Sequence, residues 1–177
     1  MRKIVTALAT LLLVAGGALA QTFVNTVGSD DGVAIAGYDV VAFFTQKKAV
    51  GGNPAFVHEH LGAKWQFSSA ETLNAFRADP DKYMPAWGGQ CAWCVSENCV
   101  STKKLSGDIE LIDGKLYLFA YGTRARNSAK DDFMYGKWSK VQRIRDGEKY
   151  WPELKKQLEA GSLAQPTSAN YTKTRFE

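Results

Sequence analysis

The sequence has few of the side chains that build most catalytic and metal-binding sites. It contains two histidines, His58 and His60. Its three cysteines all lie in the stretch GGQCAWCVSENC at residues 88–99. Two histidines two residues apart offer no credible Ser–His–Asp set, and no glycine-rich phosphate loop follows a predicted strand. A second Cys-x-x-Cys pair, which zinc ribbons repeat, is also missing. These absences argue against hydrolase chemistry and against a zinc ribbon.

The excess of positive over negative charge is also small. The 22 Lys and Arg residues barely exceed the 18 Asp and Glu residues, so the formal net charge is +4. The basic residues of RARNSAK and KWSKVQRIR are offset by nearby acids and are interpreted as solvated helix surface. A nucleic-acid binder needs clustered basic residues. No nucleic-acid partner is therefore expected.

Only one long apolar run is present, at the N-terminus. The basic start MRK precedes IVTALATLLLVAGGALA, whose last three residues fit the small-x-small rule for cleavage before Gln21. Thr, Ala and Gly dilute this run, which makes it a poor transmembrane helix. We interpret residues 1–20 as a secretory signal peptide. The mature chain is expected to be periplasmic or secreted, with no membrane span.

Two β-hairpins are the clearest local predictions in the remaining chain. Residues 55–69, AFVHEHLGAKWQFSS, alternate apolar and polar positions on either side of Gly62. Residues 108–121, DIELIDGKLYLFAY, place an Asp-Gly pair between two alternating runs, as a two-residue type I′ turn requires. A shorter strand is predicted at residues 33–36.

Helices are predicted on both sides of the first hairpin. One begins near Asp39. Another starts at a capping box formed by Ser68 and Glu71 and stops at Pro80. The order of these elements predicts an α+β fold in which two hairpins pack against several helices.

The C-terminal third is also predicted to be helical. Helical spacing relates a set of apolar residues, namely Phe133, Trp138, Val141 and Ile144. Pro152 is predicted to open a last helix, PELKKQLEA, that ends at Gly161. The predicted organisation is a signal peptide at 1–20, a lead at 21–31, the α+β domain at 32–161 and a polar, loosely held tail at 162–177.

Four stretches of the chain resemble a known family. They are AGYDVVAFF, FVHEHLGAKWQFSSAETLNAFRADPDKYMPAWGGQCA, DGKLYLFAY and YWPEL. Together they resemble the secreted single-domain branch of the YHS-domain proteins, over about residues 32–155. The resemblance implies a YHS-type α+β fold in a small domain that is often associated with metals. It implies no particular reaction.

The resemblance also bears on individual positions. Metal-binding members of the wider group carry two cysteines after the hairpin, and here these positions are Ser68 and Thr72. Hydroxyls are poor ligands for soft metals, so that site is absent. The family histidine falls on the HEH strand at 58–60, and Cys91 matches the single cysteine of the secreted branch. The other two cysteines are additions to that pattern.

The cysteines and histidines together support a metal hypothesis. The two histidines occupy positions i and i+2 of a strand, so their side chains share one face. A Cys-x-x-Cys pair can present two thiolates to zinc or to Cu(I). The predicted ligands are Cys91, Cys94, Cys99, His58 and His60, with Met84 as a further candidate. The first functional hypothesis is a non-catalytic periplasmic module that binds copper or zinc, with a protein partner as a further candidate.

Two alternatives stay open. Cys91 and Cys94 have the spacing of thioredoxin-like oxidoreductases, although those enzymes place the motif at a helix start in a βαβ unit, whereas this motif is predicted to follow a loop. A disulfide between two of the three cysteines would staple a short loop in an oxidising compartment and leave one thiol over. The chain would then be a purely structural or interaction domain.

Overall fold

The computed structural model describes residues 22–121, 129–163 and 165. In this part of the chain the elements are a 3₁₀ turn Ala34–Gly37, α1 Val40–Gln46, β1 Asn53–His60, β2 Ala63–Phe67, α2 Ala70–Ala78, α3 Pro80–Tyr83, a second 3₁₀ turn Ala86–Gly89, α4 Ala92–Ser96, β3 Leu105–Ile112, β4 Lys115–Ala120, α5 Ala129–Tyr135 and α6 Lys140–Glu159. The predicted α+β class is confirmed. Among these helices none combines the length and apolar character that a membrane crossing needs. The predicted signal peptide lies outside the described residues.

Both predicted hairpins are confirmed. β1 pairs antiparallel with β2 across a two-residue turn, with His60 opposite Ala63. β3 pairs antiparallel with β4, with Ile112 opposite Lys115. The turn of the second hairpin has positive φ at both central positions, 51° and 78°, as a type I′ turn requires.

Replacing Gly114 with valine is expected to lower the free energy of unfolding by about 1–2 kcal/mol, because a β-branched residue is strained at positive φ. A Cβ at this position meets no atom within 4 Å. The expected loss of stability therefore comes from backbone strain and not from a steric clash. Gly51→Val is the matched control, since that glycine also has open space and no left-handed φ. Equal urea midpoints for the two variants would contradict the assigned turn.

The main core lies between the first hairpin and α2. Phe76 of α2 contacts Trp65 at 5.4 Å and Phe67 at 5.1 Å between ring centroids. Val24 and Val27, from the predicted N-terminal lead, are fully buried. The lead is therefore an integral part of the domain, because removing it would expose apolar core.

Gln165 ties part of the predicted tail to that lead. Its amide nitrogen donates to the carbonyls of Thr22 at 3.0 Å and Val24 at 2.9 Å. Its amide oxygen accepts from the backbone N–H of Thr26 at 2.9 Å. This side chain thus joins the C-terminal end of the described chain to its N-terminal end.

Two local predictions were wrong near α1 and α2. Residues 33–36 do not form a strand, because Ile35 and Ala36 adopt left-handed φ values of 44° and 57° within a 3₁₀ turn. The cap of α2 is Ser69, whose side chain and that of Thr72 form the capping box. Ser68 instead donates its hydroxyl to Asp39 at 2.6 Å.

The predicted helices after residue 123 also need correction. Residues 122–128 lie outside the described residues, and the following helical segment is broken between α5 and α6. Of the four apolar residues predicted to share one face, Phe133 is fully buried, whereas Trp138 and Val141 are 51% and 70% exposed. Because the helix is broken, α5 and α6 are oriented independently of each other. A single helical period therefore does not relate the buried positions of the two helices.

Pro152 does not open a helix but lies inside the 20-residue α6. Its ring removes the backbone donor that would bond the carbonyl four residues earlier. Both Pro152 and Glu148 are exposed, so water can solvate that carbonyl. Leu154 and Leu158 are buried. The core contacts of α6 on both sides of the proline hold the helix together.

Candidate thiol site

The Cys-x-x-Cys motif lies at a helix start. Cys91 is the N-cap of α4, and its backbone forms an isolated parallel bridge with Leu118 of β4. The prediction that the motif follows a loop was therefore incomplete. The second 3₁₀ turn precedes Cys91, which lies beside β4, and α4 begins at the next residue, Ala92. This is the local setting in which redox-active cysteines occur.

The three thiols differ in their access to solvent. Cys91 is 1% exposed and Cys94 is 8% exposed, whereas Cys99 is half-buried. They form a small cluster with Ala120, and Trp93 packs at its side. All three are free thiols, with no pair at disulfide distance. Only Cys99 is open to an external reactant without a change in structure.

The three sulfurs form a chain of contacts with Cys94 in the middle. The Cys94 thiol can share its hydrogen with the sulfur of Cys91 or with that of Cys99. These bonds, followed by burial, raise the pKa of Cys94 far above its ordinary value. Cys94 therefore keeps its proton and acts as the shared donor. Since it carries a single S–H, it can serve only one neighbour at a time.

Cys91 and Cys99 are shifted in the opposite direction. The hydrogen bond from Cys94 is the main cause that lowers the pKa of Cys91, and burial opposes it. Backbone N–H groups of Ala120, Cys94 and Trp93 lower that pKa further, although Cys91 makes no formal side-chain capping bond to α4. The result is a buried sulfur that favours the thiolate form more than an ordinary cysteine does.

Cys99 is positioned by a tight turn at the end of α4. Its backbone N–H donates to the carbonyl of Cys94 at 3.0 Å, and Asn98 before it adopts a left-handed φ of 58°. When protonated, its thiol donates to the same carbonyl at 3.1 Å. The hydrogen bond from the Cys94 thiol lowers the pKa of Cys99, while burial, then the charge of Cys91 and then that of Glu97 oppose this effect. Cys99 thus combines access with a favoured thiolate.

The histidines lie in another part of the molecule. The rings of His58 and His60 share one face of β1, as predicted, and stack 6.4 Å apart at 15°. Both meet Phe76 edge-on, at 6.0 and 5.7 Å. Burial first, then Arg77 and the other histidine, lower the pKa of His58. These rings pack on the main core, whereas the cysteines form a separate cluster.

The described residues do not bring the predicted ligands together. Across residues 22–121 and 129–163, no group of three or more His, Cys, Asp and Glu side chains is placed to hold a metal ion. His60 instead borders an open cleft of about 530 Å³ beside Glu59 and Asp31. Met84 packs at the edge of the main core. The convergence that the metal hypothesis needs is not seen in this part of the chain.

Arg143 is a site residue that the sequence reasoning missed. The stretch KWSKVQRIR was interpreted as solvated surface, yet Arg143 is buried. It lies four residues before Gly147 and eleven before Leu154, both buried on α6. That spacing would have placed it on the inner face, had one helix been predicted to run through Pro152.

A cavity of about 220 Å³ adjoins the turn that carries Cys99. Its lining comes from the end of α4 and from the α5–α6 region, and comprises Ser96, Glu97, Trp138, Arg143, Asp146 and Tyr150. Two carboxylates and one guanidinium therefore line a cavity next to the turn that leads to Cys99. The electrostatics of the thiol site consequently depend on α6 as well as on the cysteine segment.

Comparison of the chain with protein-family models, with curated proteins and with solved structures found no match. The resemblance to YHS-domain proteins stays a prediction on the motifs quoted above.

Proposed function

We propose that the cysteine segment is a thiol–disulfide exchange site in which Cys99 receives the reactant and Cys94 resolves it. The observation that carries this proposal is the contact chain of three free thiols with only its outer member accessible. Cys91, at the other end of the contact chain, supports the proposal because it is the nearest base that can accept the proton of Cys94. This is the second of the sequence hypotheses, with Cys99 rather than Cys91 at the entry point.

The exchange balances in two steps. The thiolate of Cys99 attacks one sulfur of a partner disulfide, forms a mixed disulfide and releases the other partner sulfur as a thiolate, which is protonated. Cys94 then passes its proton to Cys91, attacks the Cys99 sulfur and expels the remaining partner sulfur. The partner gains two electrons, which the sulfurs of Cys94 and Cys99 lose. The proton of Cys94 moves to Cys91, and the two expelled partner thiolates take up protons from Cys91 and from solvent. The reverse sequence oxidises a partner dithiol.

The proposal is tested by exposing the reduced full chain to oxidised glutathione, followed by acid quenching, alkylation and tandem mass spectrometry. We expect one internal disulfide between Cys94 and Cys99, with Cys91 available for alkylation after unfolding. The packing of Cys99 against Cys94, with the Cys99 sulfur 3.1 Å from the Cys94 carbonyl, supports this pairing. Three unmodified thiols after prolonged exposure would contradict the exchange function. A disulfide that includes Cys91 would contradict the assigned roles.

Copper binding is the second candidate, and the packing of the two soft sulfurs of Cys91 and Cys94 in one cluster favours it. Cu(I) prefers thiolate ligands, and the contacting sulfurs of Cys91 and Cys94 can supply two of them. A periplasmic or secreted location, which stays a prediction, would suit such a carrier. Protein purified without reducing agent that holds no copper or zinc, and takes up neither at micromolar concentration, would contradict this function.

A further inference from the structure

One side chain of α6 holds the segment between the cysteines. The guanidinium of Arg143 donates from Nη1 to the hydroxyl of Ser96 at 3.1 Å and to the carboxylate of Glu97 at 2.8 Å. Its central carbon lies 5.9 Å from the ring centroid of Trp93. All three contacted residues lie between Cys91 and Cys99. A residue 46 or more positions away along the chain therefore contacts this segment at three residues.

The burial of this arginine is costly. Arg143 is 5% exposed, and its Nε has no hydrogen-bond partner among the described residues. Its counter-charge is Glu97, whose side chain is 43% exposed. Desolvating a charge that is incompletely paired opposes folding. A neutral side chain of similar volume would fill the same space at a lower cost, so stability alone does not explain the arginine.

The arginine acts on the part of the loop that presents Cys99. Glu97 and Asn98 form the turn after α4, through backbone bonds of 2.9 Å to Cys94 and 3.1 Å to Val95. The arginine holds both Ser96 and Glu97, at the base of this turn. Holding these two residues fixes where the next two, Asn98 and Cys99, can lie.

We propose that Arg143 is a positioning residue for Cys99, which holds the turn in place and neutralises the carboxylate beside the accessible thiol. The inference rests on the proposed thiol chemistry of this site. Without the guanidinium, the negative charge of Glu97 would act on Cys99 unopposed and favour the protonated thiol. With it, the thiolate that attacks a disulfide forms at lower pH.

The charged and titratable groups around Cys99 come from two elements. Its own segment contributes Cys91, Cys94 and Glu97. α6 contributes Arg143, which forms an ion pair with Glu97, and Asp146, which lines the same cavity. β4 and α5 present the apolar Ala120 and Ala129. The arginine is therefore the positive group placed to offset the carboxylates.

The test measures alkylation of Cys99 by iodoacetamide across pH, with the site read by tandem mass spectrometry. In R143Q, the pH midpoint of Cys99 modification is expected to rise by roughly half a unit or more. R143K should restore part of the shift, because it keeps the charge but not the forked geometry. E97Q should move the midpoint in the opposite direction, since it removes the negative charge.

These variants separate positioning from a purely structural role. A folded R143Q with the wild-type midpoint would overturn the inference, as would an unchanged midpoint in E97Q, which stays informative if R143Q fails to fold. Alkylation needs no disulfide partner. If the variants show these shifts but the wild-type protein does not exchange with oxidised glutathione, the proposed function is contradicted and the positioning role is not. If the wild-type protein exchanges with oxidised glutathione but the variants leave the pH midpoint of Cys99 modification unchanged, the positioning role is contradicted and the proposed function is not.

Discussion

Asp39→Ala is expected to lower the free energy of unfolding by about 3–5 kcal/mol. The carboxylate is fully buried and accepts four hydrogen bonds. One oxygen caps α1 through the N–H groups of Val41 at 2.9 Å and Ala42 at 3.2 Å. The other accepts the N–H and the hydroxyl of Ser68, at 2.8 and 2.6 Å. Alanine removes all four acceptors and leaves buried donors unpaired.

Urea unfolding of two further variants tests the cause. Asp39→Asn keeps an oxygen for the cap but turns an amide N–H towards the donors of Ser68, so an intermediate loss is expected. Asp79→Ala is the matched control, because Asp79 also caps a helix but is exposed and accepts a single N–H, from Lys82 at 3.2 Å. Its loss should be about 1 kcal/mol or less. Equal losses at the two aspartates would contradict the bridging role of Asp39.

Cys94→Ser is expected to convert a transient adduct at Cys99 into a stable one. With oxidised glutathione, the variant should accumulate one glutathione per chain on Cys99, because the resolving thiol is gone. The wild-type protein should pass through this adduct to the internal disulfide. Intact-mass spectrometry of alkylated samples follows both products. The fold should be retained, since the serine hydroxyl can donate to the same neighbours as the Cys94 thiol.

The same substitution separates the three functional hypotheses. Loss of bound copper without any trapped adduct would support the metal carrier instead. A lower melting temperature with neither effect would support a structural role for the cysteine. Cys91→Ser is the matched control, as it should still form the Cys94–Cys99 disulfide, more slowly because the nearest base is removed. A stable adduct in Cys91→Ser would contradict the assignment of Cys94 as the resolving residue.

Much of the local structure could be predicted from neighbouring residues. The Asp-Gly turn of the second hairpin, the alternation around Gly62 and the helix after Asp39 all follow from short-range rules, and the structure has all three. The side-chain period of a strand likewise placed both histidines on one face. In each case the determining contacts lie within a few residues of each other along the chain.

The wrong predictions arose where distant contacts outweighed local ones. Two adjacent serines, Ser68 and Ser69, were equally suited to cap α2. The first hydroxyl is taken by Asp39, from another element, and this leaves the second to cap the helix. Pro152 is a strong local signal for a helix start. The helix nevertheless continues through it, because Gly147 packs against Trp87 before the proline and Leu154 is buried after it.

The sequence by itself determined that three cysteines share one short segment and that two of them have a redox-active or metal-binding spacing. It could not determine which thiol is accessible, or that Arg143 of α6 holds the loop between them. Burial and long-range electrostatics depend on how α4, β4 and α6 pack, and those elements are separated by tens of residues. Tertiary packing alone buries Cys91, leaves Cys99 half-buried and places a guanidinium against Ser96 and Glu97, two residues of the segment between them.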